Sequence, residues 1–223
     1  MLQLTGTGKL MIDRDCMPRM RDQFREQHLV RLPSFIEGNI LNRMLHHLEA
    51  VQLSKDLYFS NKTGLRVGNE MAVDPTSPAP NMLTMLLNNS ELFKVVEEIT
   101  GITPIRNFMG RIYLCQPNAD HQIYWHDDNH NNRLVGISVN LSKEPFVGAV
   151  LQLRDKASQK ILAENANTGL GDAVIFRISS KIEHRTTLLE GTATRTAGAG
   201  WFHSYPDFQS LLRFCKEGKF GDQ

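Results

Sequence analysis

Residues in two separate segments could together hold a metal ion. His126 and Asp128 stand two positions apart, and His184 lies further along the chain. Because alternate residues of a β-strand point to the same face, the first two could present an imidazole nitrogen and a carboxylate oxygen to one ion. A histidine from another strand would add a second nitrogen ligand. Two nitrogens and one oxygen on one face suit Fe(II) and leave the opposite face of the ion open.

The two adjacent acids after His126 leave a choice of ligand. In a regular strand Asp127 would point away from His126, so Asp128 is the predicted ligand. A bulge at this point would reverse the choice. The chain has eight histidines, and a His-x-Asp pair by itself is also typical of a strand or turn with a surface histidine and solvated acids.

The segments that follow predict the strands that would position these residues. Four stretches have β-branched or apolar residues in strand-like patterns, and the first of them alternates as a half-buried strand does. A glycine-containing turn at 169–172 precedes the third stretch, which ends shortly before His184. The last stretch carries Arg195. The predicted strands are residues 133–142, 148–154, 173–176 and 192–202.

In this order the segments resemble the 2-oxoglutarate- and Fe(II)-dependent oxygenases, in particular the prolyl 4-hydroxylase-like branch. The resemblance covers roughly residues 105–202 and rests on His126-Asp127-Asp128, Gly171-Asp172-Ala173-Val174-Ile175-Phe176, Glu183-His184-Arg185, and residues 191–195 followed by Trp201-Phe202. It implies a mainly β fold with flanking α-helices, a double-stranded β-helix that is a jelly roll related to the cupins.

The resemblance also implies roles for individual residues. His126, Asp128 and His184 would hold Fe(II), and Arg195 would bind the far carboxylate of the cosubstrate 2-oxoglutarate. Arg195 stands eleven positions after His184, one more than is usual in the branch. An arginine suits this role because its planar fork of donors matches a carboxylate and stays charged when buried.

A hydroxyl group is expected to complete the carboxylate site beside Arg195. The candidates are Thr196, Ser138 and Tyr113, and the tyrosine matches a position where relatives often carry the same residue. Packing of its ring against a sheet is an equally good interpretation of Tyr113.

Polar and aromatic residues near the predicted ligands are candidates for contact with the substrate. Tyr124 is expected to share a strand face with His126, and Arg111 with Tyr113. Asn129 and His130 follow the ligands directly in a polar loop. Arg66 belongs to a predicted hairpin or lid over residues 56–74. Asn69 and Glu70 are further possible substrate contacts there, and a solvated loop is the alternative. The candidates are Tyr124, Asn129, His130, Arg111, Arg66 and Trp201.

Length, charge and cysteine content narrow the class of protein. A chain of 223 residues is most simply one domain with a full core. The 25 basic and 24 acidic residues give a formal charge of +1, which predicts neither nucleic-acid nor membrane binding. Three widely spaced cysteines favour a reducing compartment without disulfides. With no apolar run of membrane-spanning length, a cytoplasmic location is expected.

The remaining segments predict how the domain is organised. Residues 15–103 would form helices and a lid packed on the barrel, residues 104–203 the double-stranded β-helix, and residues 204–223 a C-terminal helix. The first ten residues contain glycine and threonine, and they are expected to be loosely held.

The resemblance implies an enzyme that uses Fe(II), 2-oxoglutarate and O₂ to hydroxylate an unactivated C–H bond, with release of succinate and CO₂. A small polar, amino-acid-like or natural-product substrate is expected, and a peptidyl side chain is the alternative. A cupin-like metal-binding module without oxygenase turnover is the alternative from another class, but it would have no use for Arg195. The sequence makes no prediction about the oligomeric state.

Overall fold

The computed structural model describes most of the chain. The predicted turn at 62–65 lies outside the described residues, and so does the predicted C-terminal helix from residue 207 onward. Among the residues that are described, no helix is long and apolar enough to cross a membrane. The described residues are 1–49, 51, 53–59, 66–117, 121–130, 132–166 and 169–206.

The described part of the chain contains many short strands and four α-helices. The helices are α1 Met17–Gln27, α2 Gly38–Leu48, α3 Pro78–Leu87 and α4 Ser90–Thr100. The strands are β1 Leu2–Leu4, β2 Leu10–Ile12, β3 Leu29–Leu32, β4 Leu53–Phe59, β5 Arg66–Val73, β6 Asn107–Cys115, β7 Gln122–His126, β8 Arg133–Asn140, β9 Val147–Gly148, β10 Leu151–Asp155, β11 Ile161–Asn165, β12 Ala173–Arg177, β13 Ile182–Thr186, β14 Leu189–Glu190 and β15 Arg195–His203.

Within these residues, eleven strands pair antiparallel in the order β11-β10-β13-β7-β5-β6-β15-β8-β12-β3, with β4 also on β5. Strand β5 joins two halves of this sheet, because it pairs with β6 at Met71 and Ala72 and with β7 at Gly68 and Asn69. The fold is the predicted double-stranded β-helix, and strands β3 to β5 from the N-terminal half extend it.

The two halves of the sheet face each other across an inner core. The ring of Phe176 on β12 lies 4.9 Å from the ring of His184 on β13. Val174 of β12 belongs to one buried cluster with Leu153 of β10 and Ile182 of β13. Side chains on these inner faces therefore meet in the space between the halves, where the candidate site lies.

The outer face of the half that contains β8 and β12 is covered by helices. Val135, Ile137, Val139 and Ile175 join buried residues of all four helices in the largest apolar cluster. The expectation of a half-buried strand at 133–142 is wrong, because β8 is buried on both faces from residue 135 to residue 140. Its alternation reflects small or polar residues inside the barrel and aliphatic residues under the helices.

The N-terminal residues form a packed hairpin. Strand β1 pairs with β2, Leu2 and Leu4 are fully buried, and the Leu4 amide donates to the Phe35 carbonyl at 2.7 Å. The expectation that the first ten residues are loosely held is therefore wrong, because two leucines at strand spacing bury their side chains in the main core.

This packing predicts a large cost for shortening one hairpin side chain. Leu4→Ala should lower the free energy of unfolding by about 2–5 kcal/mol, since it removes buried methyl groups and leaves a cavity. Met11→Ala is the matched control, because this side chain of the same hairpin is 51% exposed and should change stability by no more than about 0.5 kcal/mol. Equilibrium urea unfolding measures both, and equal midpoints would show that the hairpin does not contribute to the core.

Candidate metal centre

Two histidines lie directly opposite each other on neighbouring strands of the barrel. His126 of β7 and His184 of β13 are partners in the antiparallel register, and their ring centroids are 4.2 Å apart. Directly opposed residues of an antiparallel pair place their side chains on the same face at close range. The register shifts between His184 and Thr186, so β7 carries a bulge just before the histidine.

Asp128 turns back towards both histidines. Strand β7 ends at His126, and Asp128 has a φ of 50°, a left-handed conformation that aspartate tolerates better than most residues. Its Oδ2 lies 3.5 Å from Nε2 of His126 and 3.3 Å from Nε2 of His184. The expected reason, alternation along a regular strand, is wrong; the turn after the strand brings the carboxylate to the histidines.

Asp127 is bound elsewhere. One carboxylate oxygen accepts from Lys156 Nζ at 2.8 Å, and the other accepts from the Asn129 amide at 3.1 Å. The residue is 9% exposed, and the hydrogen bond to Asp127 is the main cause that raises the pKa of Lys156. A buried carboxylate with these partners is satisfied structurally, which leaves Asp128 as the acid that faces the histidines.

The protonation of the three residues suits metal binding. Nδ1 of His126 lies 2.7 Å from the Tyr124 carbonyl, which can only accept, so Nδ1 carries a proton and Nε2, on the side of Asp128, is the nitrogen that can bind a metal. Burial, with the charge of His126, lowers the pKa of His184. Burial would raise the pKa of Asp128, but hydrogen bonds from both histidines hold it well below its usual range. The set is two imidazoles and a carboxylate.

Two donors fix the orientation of the Asp128 carboxylate. Arg133 Nη1 donates to Oδ1 at 2.7 Å, and the Trp201 indole N–H donates to Oδ2 at 2.8 Å. The Arg133 guanidinium also stacks over the Trp201 ring at 3.5 Å, so the two donors hold each other in place. Because both oxygens are bonded and the side chain is 10% exposed, rotation of the carboxylate would break a charge-assisted hydrogen bond.

Two expected substrate contacts, Trp201 and His130, are bonded within this arrangement. Trp201 uses its indole N–H on Asp128, and His130 Nε2 lies 3.1 Å from Arg133 Nη1. Sequence reasoning missed Arg133, because no motif marks an arginine at the start of a strand as the partner of an acid in the preceding turn.

The donor set fits an Fe(II) ion. One ligand atom from each of His126, Asp128 and His184 lies within 4.8 Å of the others. Two nitrogens and one ionised oxygen on one face are the ligands that non-haem iron sites use. The carboxylate is already oriented by its two donors, so binding would need little rearrangement of the protein.

Arg195 is buried on the inner face of the barrel. It starts β15 opposite Cys115 of β6, and its side chain is 12% exposed. Its Nη2 lies 3.4 Å from Ser138 Oγ, and its Nη1 lies 3.9 Å from Glu70 Oε1. The structure therefore brings the predicted cosubstrate residues Arg195 and Ser138 together.

Tyr113 and Thr196 lie on opposite faces of the sheet. Tyr113 is 7% exposed and stands two residues before Cys115, which puts it on the inner face with Arg195. Thr196 follows Arg195 in a regular register, so its side chain points to the helix-covered side. The proposed pairing of Thr196 with Arg195 is wrong, because strand alternation separates them.

Three of the other expected substrate contacts are exposed. Tyr124 is 42% exposed, and Asn129 and Arg111 are also exposed. The Arg66 side chain lies outside the described part of the structure. An open cavity of about 530 Å³ on the two strands that carry the histidines is lined by Tyr124, Trp125 and Arg185 among others, and not by the three predicted metal ligands.

The Trp201 hydrogen bond predicts an effect on metal affinity. Trp201→Phe keeps an aromatic ring but removes the donor to Asp128, and it should weaken Mn(II) binding by about 10-fold to 100-fold, as loss of such a partner does at other metal sites. Trp125→Phe is the matched control, because its ring packs between Arg154 and Arg185, away from Asp128. Titration followed by Mn(II) electron paramagnetic resonance measures both, and equal affinities would contradict this role for Trp201.

Comparison with solved structures finds proteins of similar fold, although no family model and no curated protein matches the sequence. An oxidoreductase of the 2OG-Fe(II) oxygenase family from Burkholderia pseudomallei is 13% identical, with a TM-score of 0.61 over 92% of this chain and 97% of that one. A Trichoplax adhaerens prolyl hydroxylase in complex with a hypoxia inducible factor peptide is 12% identical, with a TM-score of 0.58 over 94% of both chains.

A third structure, the non-heme alpha ketoglutarate dependent epimerase SnoN from nogalamycin biosynthesis, is 13% identical, with a TM-score of 0.59 over 84% of this chain and 82% of that one. The three neighbours thus include one bound to a peptide and one from natural-product biosynthesis. The chain therefore has the fold of the 2OG-Fe(II) oxygenases.

Proposed function

We propose that this protein is an Fe(II)- and 2-oxoglutarate-dependent oxygenase. The observation that carries the proposal is the pairing of two features on one inner surface: three ligands for a metal and, beside them, a buried arginine. His126, His184 and Asp128 converge within 4.8 Å, and Arg195 is held next to Ser138. A metal-binding module without turnover would need the first feature only.

Each residue then has a defined task. The two histidines and Asp128 would hold Fe(II), which together with 2-oxoglutarate and O₂ supplies the oxidising power for an unactivated C–H bond. Arg133 and Trp201 keep the carboxylate aimed at the ion. Ligands that are already in place lose little freedom on binding, so less of the binding energy is used to order them.

Arg195 would bind the distal carboxylate of 2-oxoglutarate. A guanidinium offers parallel N–H donors that match the two oxygens of a carboxylate. Ser138 Oγ lies beside it and can add a hydroxyl donor. Since the Arg195 side chain is largely buried, the ion pair would form away from water, where it is stronger.

We infer that the substrate is a small polar or amino-acid-like molecule or a natural product. His126 and Asp128 are only partly buried, so a small molecule can reach the metal ligands from solvent. Exposed Asn129 and Arg111 would supply polar contacts at the mouth. Hydroxylation with release of succinate and CO₂ is the proposed outcome.

The proposal predicts a visible absorption band on cosubstrate binding. Fe(II) and 2-oxoglutarate added without oxygen should give the weak metal-to-ligand charge-transfer band of a chelated 2-oxo acid. His184→Ala should remove it, because the ion would lose one of its three protein ligands. Absence of the band from folded, iron-loaded protein would reject the oxygenase and favour the metal-binding module.

A second prediction tests the role of Arg195 independently of metal binding. Arg195→Ala should retain Fe(II) but bind 2-oxoglutarate at least about 30-fold more weakly, because truncating one partner of a buried charge pair costs about 2–5 kcal/mol. The control is Arg43→Ala, an exposed arginine of helix α2. Calorimetric titration of 2-oxoglutarate into the Mn(II)-loaded proteins measures both, and unchanged affinity in Arg195→Ala would refute this assignment.

A further inference from the structure

A buried acid lies beside the arginine that would bind the cosubstrate. Glu70 of β5 is 6% exposed, and its Oε1 is 3.9 Å from Arg195 Nη1. The same oxygen accepts from the Cys115 thiol at 2.9 Å. The sequence suggested a substrate contact in a hairpin or lid, or a solvated loop, for Glu70, but pairing of β5 with β6 carries it into the barrel.

Arg195 is the permanently charged group beside Glu70, and the nearby histidines have other partners. Nδ1 of His121 accepts from the Gln116 amide at 2.9 Å, which requires that nitrogen to be unprotonated. His126 donates from Nδ1 to a carbonyl and turns Nε2 towards Asp128, so its imidazole is paired with that carboxylate. Burial raises the pKa of the Cys115 thiol, so the thiol acts as a neutral donor.

Binding of the cosubstrate would therefore place two carboxylates at one guanidinium. The distal carboxylate of 2-oxoglutarate and the carboxylate of Glu70 would compete for Arg195 in a space closed to water. Two like charges a few ångströms apart in such a space cannot both stay ionised, and a buried charge without a partner of its own is costly.

We propose that Glu70 carries a proton whenever the distal carboxylate of 2-oxoglutarate is bound at Arg195, so that cosubstrate binding is coupled to proton uptake. This inference rests on the proposed function and assigns a further residue to the same site. The proton comes from solvent and resides on the Glu70 carboxyl group. The neutral acid then supplies an O–H donor to the carboxylate site.

The electrostatics of Glu70 agree with this assignment. Burial raises its pKa, against the opposing effects of Arg195, the Cys115 thiol and the two histidines His121 and His126. The unliganded protein therefore ionises Glu70 at a higher pH than an exposed glutamate. Because the bound state holds a proton that the free state loses as pH rises, the affinity for 2-oxoglutarate should fall above that pH.

Calorimetry can count this proton directly. Wild-type protein loaded with Mn(II), which does not support turnover, is titrated with 2-oxoglutarate from about pH 6 to about pH 9, in buffers of different ionisation enthalpy. Proton uptake should approach about one per 2-oxoglutarate at the upper end, where affinity should fall about tenfold per pH unit. This count on the wild type does not depend on any variant.

Glu70→Gln supplies the matched comparison, because the amide is neutral at every pH. It should bind 2-oxoglutarate without the proton uptake, and more tightly than wild type at the upper end of the pH range. Glu144→Gln, an exposed glutamate, should behave as wild type.

The outcomes separate this inference from the proposed function. Wild-type binding without proton uptake, and with the same pH dependence as Glu70→Gln, would overturn the role of Glu70 and leave the oxygenase intact. Absence of 2-oxoglutarate binding by both Mn(II)-loaded proteins at every pH would overturn both.

Discussion

The site depends on one cross-strand register. Because His126 and His184 are direct partners on β7 and β13, backbone pairing alone sets the distance and the common face of their imidazoles. A slip of one residue in either strand would send its histidine to the outer surface. The bulge in β7 and the turn after His126 then determine which acid joins them, so the backbone selects Asp128 before any metal binds.

Polar groups in this barrel are held in pairs that keep charges compensated. Asp128 is compensated by Arg133, and Asp127 by Lys156. Arg195 has Glu70 near it, at a distance that leaves its guanidinium able to take a better partner. A tightly bonded pair stabilises the architecture, whereas a loosely held pair can exchange partners, and the second kind lies where a cosubstrate carboxylate would bind.

Some features of the fold and the site could be predicted from the sequence, and others could not. The strands after Asp128 could be predicted from spacing within one segment, and the three converging residues and Arg195 from the order of segments that carries the family resemblance. Arg133 could not, because no motif marks it as the partner of an acid in the preceding turn, and Glu70 could not, because only the pairing of β5 with β6 reveals its place. Burial of β8 on both faces and packing of Leu4 depend on helices and loops distant in sequence. Thr196 was misplaced because a hydroxyl next to an arginine in sequence lies on the other face of a strand.

Anomalous diffraction at the iron absorption edge tests the central claim most directly, on crystals grown without oxygen from protein, Fe(II) and 2-oxoglutarate. The account predicts an anomalous peak in contact with Nε2 of His126, Nε2 of His184 and a carboxylate oxygen of Asp128, with the distal carboxylate of 2-oxoglutarate on Arg195. An iron peak held by other residues, or a cosubstrate whose distal carboxylate lies away from Arg195, would contradict it.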